Sequence, residues 1–564
     1  MASPADIRGD TAQGIGEARE GIALTSALAL DRRAMLESLQ LVVDRATEQP
    51  RAVIDTAGNL LSDLVSITFG SSRIEPAPKD ARFKDDAWRD NPVFRRIGQA
   101  YLAWGRSVDE WLAQSNFDDL EHERARFMLD IMKDLAAPMN TLFGNPEALK
   151  RAFETRGESL LKGVRNYVDD LRNNHGYPAV ADRNAFKVGV DVCASAGQVV
   201  FCNELLEVIQ YAPKTPDVHA TPLVYVFSQV NRFYLGDLTP DRSLFQKLLD
   251  AGIQVFAVSW RNPTEKQRDW GLDTYAEGVI QAVSVAREIS NQTKVNLIGV
   301  CAGGLTTAVA AGVLAARGDD WLETLTLFIN ILDNRPLDSD FGLFVSERSV
   351  DAQKARVRIE GLFDERNVFE MFAWLRPEEN VMSFFRSNYL LGEDPPAHPL
   401  LFWSMDYTRL PAGLYSDILD LSLANKLAKG ELRVLGNRVD LKRVTCPVYL
   451  MAGSTDHITP WKGAYRSTQL FGGPTEFVLT NQNHTQTISA RGDNKHLKYW
   501  MADALPANPD EWLAAATENK GDWRDHWFAW LAGRSGARIA APGVLGSNRY
   551  PSQYPAPGRY VVES

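Results

Sequence analysis

Hydrophobic and polar positions follow three rhythms along this chain. From Asp86 the apolar residues recur at mixed three- and four-residue spacings. In AWRDNPVFRRIGQAYLAWGRSVDEWLAQS these are Phe94, Ile97, Tyr101, Leu102, Trp104, Val108, Trp111 and Leu112, a helical pattern. Asp90 or Asn91 followed by Pro92 marks its start. A second helix runs through EHERARFMLDIMKDLAAP to Pro138, and another follows Asn145-Pro146. Near residue 185 the period changes: PAVADRNAFKVGVDVCASAGQVVFCNELLEVIQYAP alternates like strands and turns. Apolar runs then alternate with amphipathic segments: 222–228, 253–260, 295–300, 324–330, 446–453 and 475–480. Strands separated by helices predict βαβ units, hence a parallel sheet covered on both faces.

The interval from Leu332 to about Val444 breaks that rhythm with irregular helices rich in Phe, Tyr and Trp, interrupted by Pro395-Pro396 and Pro411. A long apolar insertion between core strands reads as a cap over an active site. The expected organisation has three parts. Residues 1–80 are a poorly ordered or helical extension, 81–185 a helical domain, and 186–564 a sheet domain with its cap at about 332–444. A Trp-rich helix and a Pro/Gly/Tyr-rich tail, expected to lie extended on the surface, close the chain.

Composition narrows the function. With 564 residues the chain exceeds what one core usually organises. Its net charge of −11, with no basic run, argues against nucleic-acid binding. The four cysteines, Cys193, Cys202, Cys301 and Cys446, are too scattered for a disulfide framework and form no CxxC metal pair, which suits a reducing cytoplasm. GIALTSALAL is too short and wrongly flanked for a signal peptide or a membrane span.

The candidate chemistry sits at Lys294–Thr306, KVNLIGVCAGGLT, where a β-branched run passes through Gly299-Val300-Cys301-Ala302-Gly303-Gly304 into a helix ending at Gly318. Strand, sharp turn and helix with G-x-C-x-G at the corner form a nucleophile elbow, and predict an α/β-hydrolase fold with sulfur in place of a Ser hydroxyl. A thiol needs a base and the base an orienting carboxylate, in the chain order nucleophile, acid, histidine. Asp456 follows one later strand and His484 the next, so Cys301, Asp456 and His484 occupy three strand ends in that order. Of the eight histidines, His457 is the competing base. His484 is favoured because a separate loop can bring an imidazole to both thiol and carboxylate, leaving His457 a supporting role on the Asp456 loop. The oxyanion donors expected are the N–H of Ala302 and one near Val230 or Asn231, after the first core strand. Arg232 beside them reads either as a structural ion pair or as a contact to a substrate phosphate.

The motifs NPVFRRIGQAYLAW, NPEALKRAFETRGESL, VNRFYLGDLTPDRSLF, VSWRNP, GVCAGG, MFAWLRP, NYLLG, TRLPAG and AGSTDHITPW resemble those of the polyhydroxyalkanoate synthases, over about residues 80–535. Two loops depart from the family: VFSQVNRF where a proline pair is usual, and NQNHTQTIS where a Gly usually precedes the His. The resemblance implies an acyltransferase that polymerises (R)-3-hydroxyacyl-CoA with release of CoA. Cys301 would carry the growing polyester chain, His484 would act as base, and Asp456 would orient His484. It further implies a homodimer on polyester granules in the cytoplasm, with no metal or bound cofactor, CoA entering as part of the substrate. The rival readings are a cysteine ester hydrolase, or depolymerase, of the same fold, and a non-catalytic granule-binding protein.

Overall fold

The computed structural model describes residues 32–563 apart from 79, 492 and 493, so the GIALTSALAL stretch lies outside the described residues. The chain forms two compact units. One runs to Asp182 and takes back Arg366–Pro396; the other comprises Arg183–Glu365 and the chain from Ala397 onward. Among the described residues no helix is long and apolar enough to cross a membrane.

The first unit is helical. Its main helices are Arg32–Glu48, Pro50–Thr68, Pro92–Gln114, Asp119–Leu135, Pro146–Glu154 and Glu158–Asn173. Local sequence explains several starts. The Asn91 side chain accepts from the N–H groups of Val93 and Phe94 ahead of Pro92, Asp118 and Glu121 form a capping box, and Asn145 caps Ala148. Trp111, Leu112, Ala125 and Leu129 form one small core, and Trp88, Ala137 and Met139 another. The returned segment carries two π-helical turns, Glu378–Met382 and Arg386–Leu390. Arg386 pairs with Glu378, and buried Asn388 donates to the Ala179 carbonyl (2.8 Å).

The second unit is built on an eleven-stranded sheet. Its strands are β1 (Gly197–Cys202), β2 (Leu206–Tyr211), β3 (Leu223–Val226), β4 (Val255–Trp260), β5 (Val295–Val300), β6 (Leu322–Phe328), β7 (Val448–Gly453), β8 (Thr475–Thr480), β9 (Lys498–Met501), β10 (Thr517–Lys520) and β11 (Tyr554–Pro555). Their order is β10-β9-β8-β7-β6-β5-β3-β4-β2-β1-β11. Strands β3 to β8 are mutually parallel, while β1, β2, β9, β10 and β11 pair antiparallel at the two flanks. This is an α/β-hydrolase sheet, and the six predicted apolar runs are its six parallel strands. The chain passes from β3 outward to β4 and returns to β5 on the other side of β3. That switch point opens a crevice at the carboxyl ends of β3 and β5.

The tail lies along the surface, mostly exposed or half-buried, and is anchored there. Tyr554 and Pro555 pair with Val199 and Gln198, and the wholly buried Glu207 on β2 accepts from the Tyr554 hydroxyl (2.7 Å) and the N–H groups of Arg559 and Tyr560. The interval 332–444 is a largely helical insertion between β6 and β7, but it is not one piece: Arg366–Pro396 belongs to the first unit.

Within the first unit, Asp134 sits beside Arg82 (3.5 Å). Burial raises its pKa most, the Arg82 charge lowers it, and the negative charges of Glu378 and Asp130 raise it further, to about 6 in all. An acid raised in this way is a liability only where it ionises, so its cost to folding grows as pH climbs from the ordinary carboxylate range through about 6. Asp134→Asn should therefore raise the unfolding midpoint at pH 8, by about 2–4 °C, and leave it unchanged at pH 4. Calorimetry at the two pH values checks this, and an equal shift at both would contradict the cause given.

Candidate active site

The elbow follows from close packing at the end of β5. Cys301 links β5 to the helix Ala302–Arg317 with φ 55° and ψ −132°, a backbone state that side chains rarely adopt. Three glycines make room for it. A Cβ on Gly299 would stand 2.7 Å from the Cα of Gly304, and one on Gly303 would stand 2.4 Å from the Phe227 carbonyl oxygen. Gly304 packs equally hard on the Asn330 side chain. The helix is thus pressed onto the ends of β3 and β6, and Cys301 stands half-exposed at the corner, its N–H donated to the Phe328 carbonyl (3.0 Å).

Two later loops reach the same point. The β7 end turns through Ser454 and Thr455, and the β8 end through Asn481 and Gln482. The Ser454 N–H donates to the Thr480 carbonyl (2.7 Å) and the Thr455 N–H to the Gln482 carbonyl (3.3 Å), so the loops are stitched together. His484 Nε2 lies 3.3 Å from Cys301 Sγ, and His484 Nδ1 donates to Asp456 Oδ2 (2.7 Å). Asp456 Oδ1 accepts from the N–H groups of Ile458 and Thr459 (both 2.9 Å), and the Thr459 hydroxyl donates to Oδ2 (2.7 Å). Cys301, Asp456 and His484 are therefore brought together. His457 is half-buried beside Asp456, and it is His484 that spans thiol and carboxylate.

Electrostatics follow from burial and pairing. Burial pushes the Asp456 pKa up, but the His484 charge and the hydrogen bonds from His484 and Thr459 outweigh it and hold the carboxyl below its ordinary range. Burial alone would push His484 down; the charges of Asp456 and Cys301, with their hydrogen bonds, raise it to about 10. Because this pKa is raised in the folded state, the pair's contribution to stability is complete below the ordinary imidazole range and is lost as pH rises through about 10.

The oxyanion donors come out unequally. Ala302 opens its helix, where an N–H has no intrahelical partner. The Val230 N–H donates to Ser228 Oγ (3.2 Å), so it is already spent, which leaves Asn231 of the two loop residues singled out. Arg232 is buried and bound to protein acceptors, Asp406 among them, which excludes the phosphate role considered for it. Thr459 was missed by sequence reasoning; its one signal is its place three residues after Asp456, where a hydroxyl can turn back on the carboxylate. The two family departures also have local causes. Gln229 Nε2 donates to Thr306 Oγ1 (3.0 Å), tying the loop to the elbow helix, and Asn483 Oδ1 caps the Gln486 N–H (3.0 Å) just past His484. Among the described residues, no group of three or more His, Cys, Asp or Glu side chains is arranged to hold a metal ion.

Residues 79–248 match the family described as "Poly-beta-hydroxybutyrate polymerase (PhaC) N-terminus". Over most of its length the chain is similar to two proteins of Ectopseudomonas oleovorans. It is 38% identical to poly(3-hydroxyalkanoate) polymerase 1, covering 96% of this chain and 97% of that one. It is 40% identical to poly(3-hydroxyalkanoate) polymerase 2, covering 95% and 96%. The chain belongs to the poly(3-hydroxyalkanoate) polymerase family. The PhaC subunit of the Cupriavidus necator polymerase is 39% identical over 86% of this chain and 83% of that one. Family membership and the α/β-hydrolase sheet together make the chain an enzyme of the acyltransferase class.

In Asp456→Asn the first of the two charges that raise His484 is removed, so the imidazole pKa should fall from about 10 toward its ordinary range. Alkylation of Cys301 by iodoacetamide at pH 7 should then slow at least about tenfold and recover as pH is raised. A variant whose rate–pH profile overlays that of the wild type would show that Asp456 does not govern the pair.

Proposed function

We propose that the protein polymerises (R)-3-hydroxyacyl-CoA into polyhydroxyalkanoate with Cys301 as the acyl carrier. The observation that carries the reading is the contact of the Cys301 sulfur with His484 Nε2 (3.3 Å), on an imidazole whose other nitrogen is held by Asp456 (2.7 Å). His484 takes the thiol proton as Sγ attacks the thioester carbonyl, and the oxyanion is met by the N–H groups of Ala302 and Asn231. The carbon–sulfur bond to CoA breaks, and the proton returns from His484 to the departing CoA thiolate. The 3-hydroxyl of an incoming 3-hydroxyacyl-CoA then gives its proton to His484 and attacks the acyl-Cys301 carbonyl; the carbon–sulfur bond to Cys301 breaks, the thiolate takes the proton back from His484, and the chain, one unit longer and now a CoA thioester, reloads on Cys301 by the first step. Asp456 keeps the imidazole in the required orientation through both steps, and His457 supports the Asp456 loop.

Polymerisation over hydrolysis requires that water be kept away while an alcohol is admitted. Cys301 packs against the apolar core that includes Phe227, Phe328, Trp403 and Ile488, with Leu400 and Phe402 of the insertion on the same cluster. That apolar wall favours a polyester chain over water as the second substrate. Homodimerisation and attachment to polyester granules belong to the same reading. Family membership supports them, as do exposed apolar side chains on the first unit's helices, among them Ile54, Leu61, Leu161 and Val164.

Purified protein given 3-hydroxyacyl-CoAs of increasing length should release thiol and develop turbidity together; thiol release with free monomer acid and no polymer would point to the hydrolase. Cys301→Ala should abolish thiol release and Cys301→Ser should leave a trace. His484→Gln should cost on the order of a hundredfold or more in rate, and His457→Gln much less. Activity retained in the alanine variant would end the assignment, and the opposite histidine order would exchange their roles.

A further inference from the structure

The loop that follows β3 is clamped by side chains that the reaction itself does not use. On one side the insertion grips it: Thr408 donates through its N–H to the Val230 carbonyl (3.0 Å) and through its hydroxyl to the Gln229 carbonyl (2.6 Å). Trp403 Nε1 donates to the Arg232 carbonyl (2.9 Å). On the other side Arg232 uses all three of its side-chain nitrogens. Nη1 donates to the Tyr560 carbonyl (2.7 Å), Nη2 to the Glu563 carbonyl (2.6 Å), and Nε to Asp406 Oδ1 (3.3 Å). Asp406 in turn accepts from the Tyr234 hydroxyl (2.8 Å). Arg232 is 6% exposed, so these acceptors replace water for a buried cation.

The tail that offers the two carbonyls is itself fixed. Buried Glu207 holds the N–H of Tyr560, the Tyr560 hydroxyl donates to the Asn203 carbonyl (2.5 Å), and Glu563 pairs with Arg261 (2.9 Å). Arg232, the neighbour of Asn231, is thus tied directly to the turn at Tyr560–Val562 and to Glu563. We propose that Arg232 is a positioning residue, which sets the Asn231 N–H by gripping the carboxyl-terminal segment and the insertion at once, so that an intact tail is part of the oxyanion site. This rests on the proposed acyl transfer through Cys301 with Asn231 as the second oxyanion donor.

The planar fork matters. A lysine could keep the charge but could not reach three separate acceptors. Alkylation of Cys301 by iodoacetamide needs the thiol and His484 but develops no oxyanion, so it separates loop position from the state of the nucleophile. Arg232→Gln should lower kcat for thiol release from a 3-hydroxyacyl-CoA by roughly tenfold to a hundredfold, with KM changed less than about threefold and the alkylation rate unaltered. Arg232→Lys should fall between that variant and the wild type. A chain ending at Arg559 should lower kcat at least as far as Arg232→Gln, and adding Arg232→Gln to it should cost little more, because the tie between Arg232 and the tail is already cut.

A kcat for Arg232→Gln within twofold of wild type would overturn the proposal. So would alkylation falling in step with kcat, or defects of the two changes that multiply. If the truncated chain does not fold, the full-length Gln and Lys variants still decide the matter by their split between kcat and alkylation. Failure of the acyl-transfer reading would show differently, as thiol release that survives Cys301→Ala.

Discussion

The site depends on one close approach, the helix Ala302–Arg317 pressed onto the carboxyl ends of β3 and β6. Phe227 leaves no space for a side chain at 303, and Thr307 and the Gly304 backbone leave none at 299. The contact forces the β5-to-helix corner into the strained conformation at Cys301, a state that costs on the order of 1–3 kcal/mol. The strain persists because a large core holds both sides. Val295, Leu297, Ile298 and Val300 on β5, with the helix residues from Ala308 to Leu314, are almost wholly buried. The glycines at 299, 303 and 304 are what allow the helix to pack so close to the sheet and present the sulfur at this corner.

From that corner the parallel sheet does the rest of the positioning. β6, β7 and β8 all run in the direction of β5, so their ends open on the same rim. The bonds between the β7 and β8 loops then fix Asp456 and His484 as one unit. The electrostatics are self-supporting: burial alone would keep the carboxyl protonated and the imidazole neutral, yet the charge of each offsets the burial cost of the other. Each group sustains the charge of the other, and two backbone N–H groups and the Thr459 hydroxyl satisfy the carboxylate lone pairs that His484 does not use.

The parallel strands and the elbow were legible in the sequence because each carries a dense local signal, β-branched runs in the one case and glycines flanking a nucleophile in the other. Cys301, Asp456 and His484 were legible by their order along those strands. The flanking antiparallel strands were harder to read. β9, KYWM, and β10, TENK, lie at an edge, are only partly buried or exposed, and show no apolar alternation; β11 is two residues long. The fate of Arg366–Pro396 was hidden because aromatic-rich irregular helix looks the same whichever core it joins. Arg232 was ambiguous for a related reason: a single arginine in a loop does not say which distant carbonyls will meet it. Nor does the sequence show that the Val230 N–H turns to a hydroxyl two residues earlier, that of Ser228.

A thiol and a hydroxyl at the same elbow lead to different chemistry only if the surroundings cooperate. An acyl group on sulfur stays activated toward an alcohol, but it is equally exposed to water. Three polar residues of the insertion are taken up by the loop after β3: Trp403 Nε1 and both donors of Thr408 go to its carbonyls, and the Asp406 carboxylate goes to Arg232 and Tyr234. Leu400, Phe402 and Trp403 of the insertion share one apolar cluster with Cys301. The bonds that hold the loop after β3 in place therefore also occupy polar groups that could otherwise order a water near an acyl-Cys301. On the proposed reaction, positioning and dryness have the same structural origin, and a chain that loosened the one would lose the other.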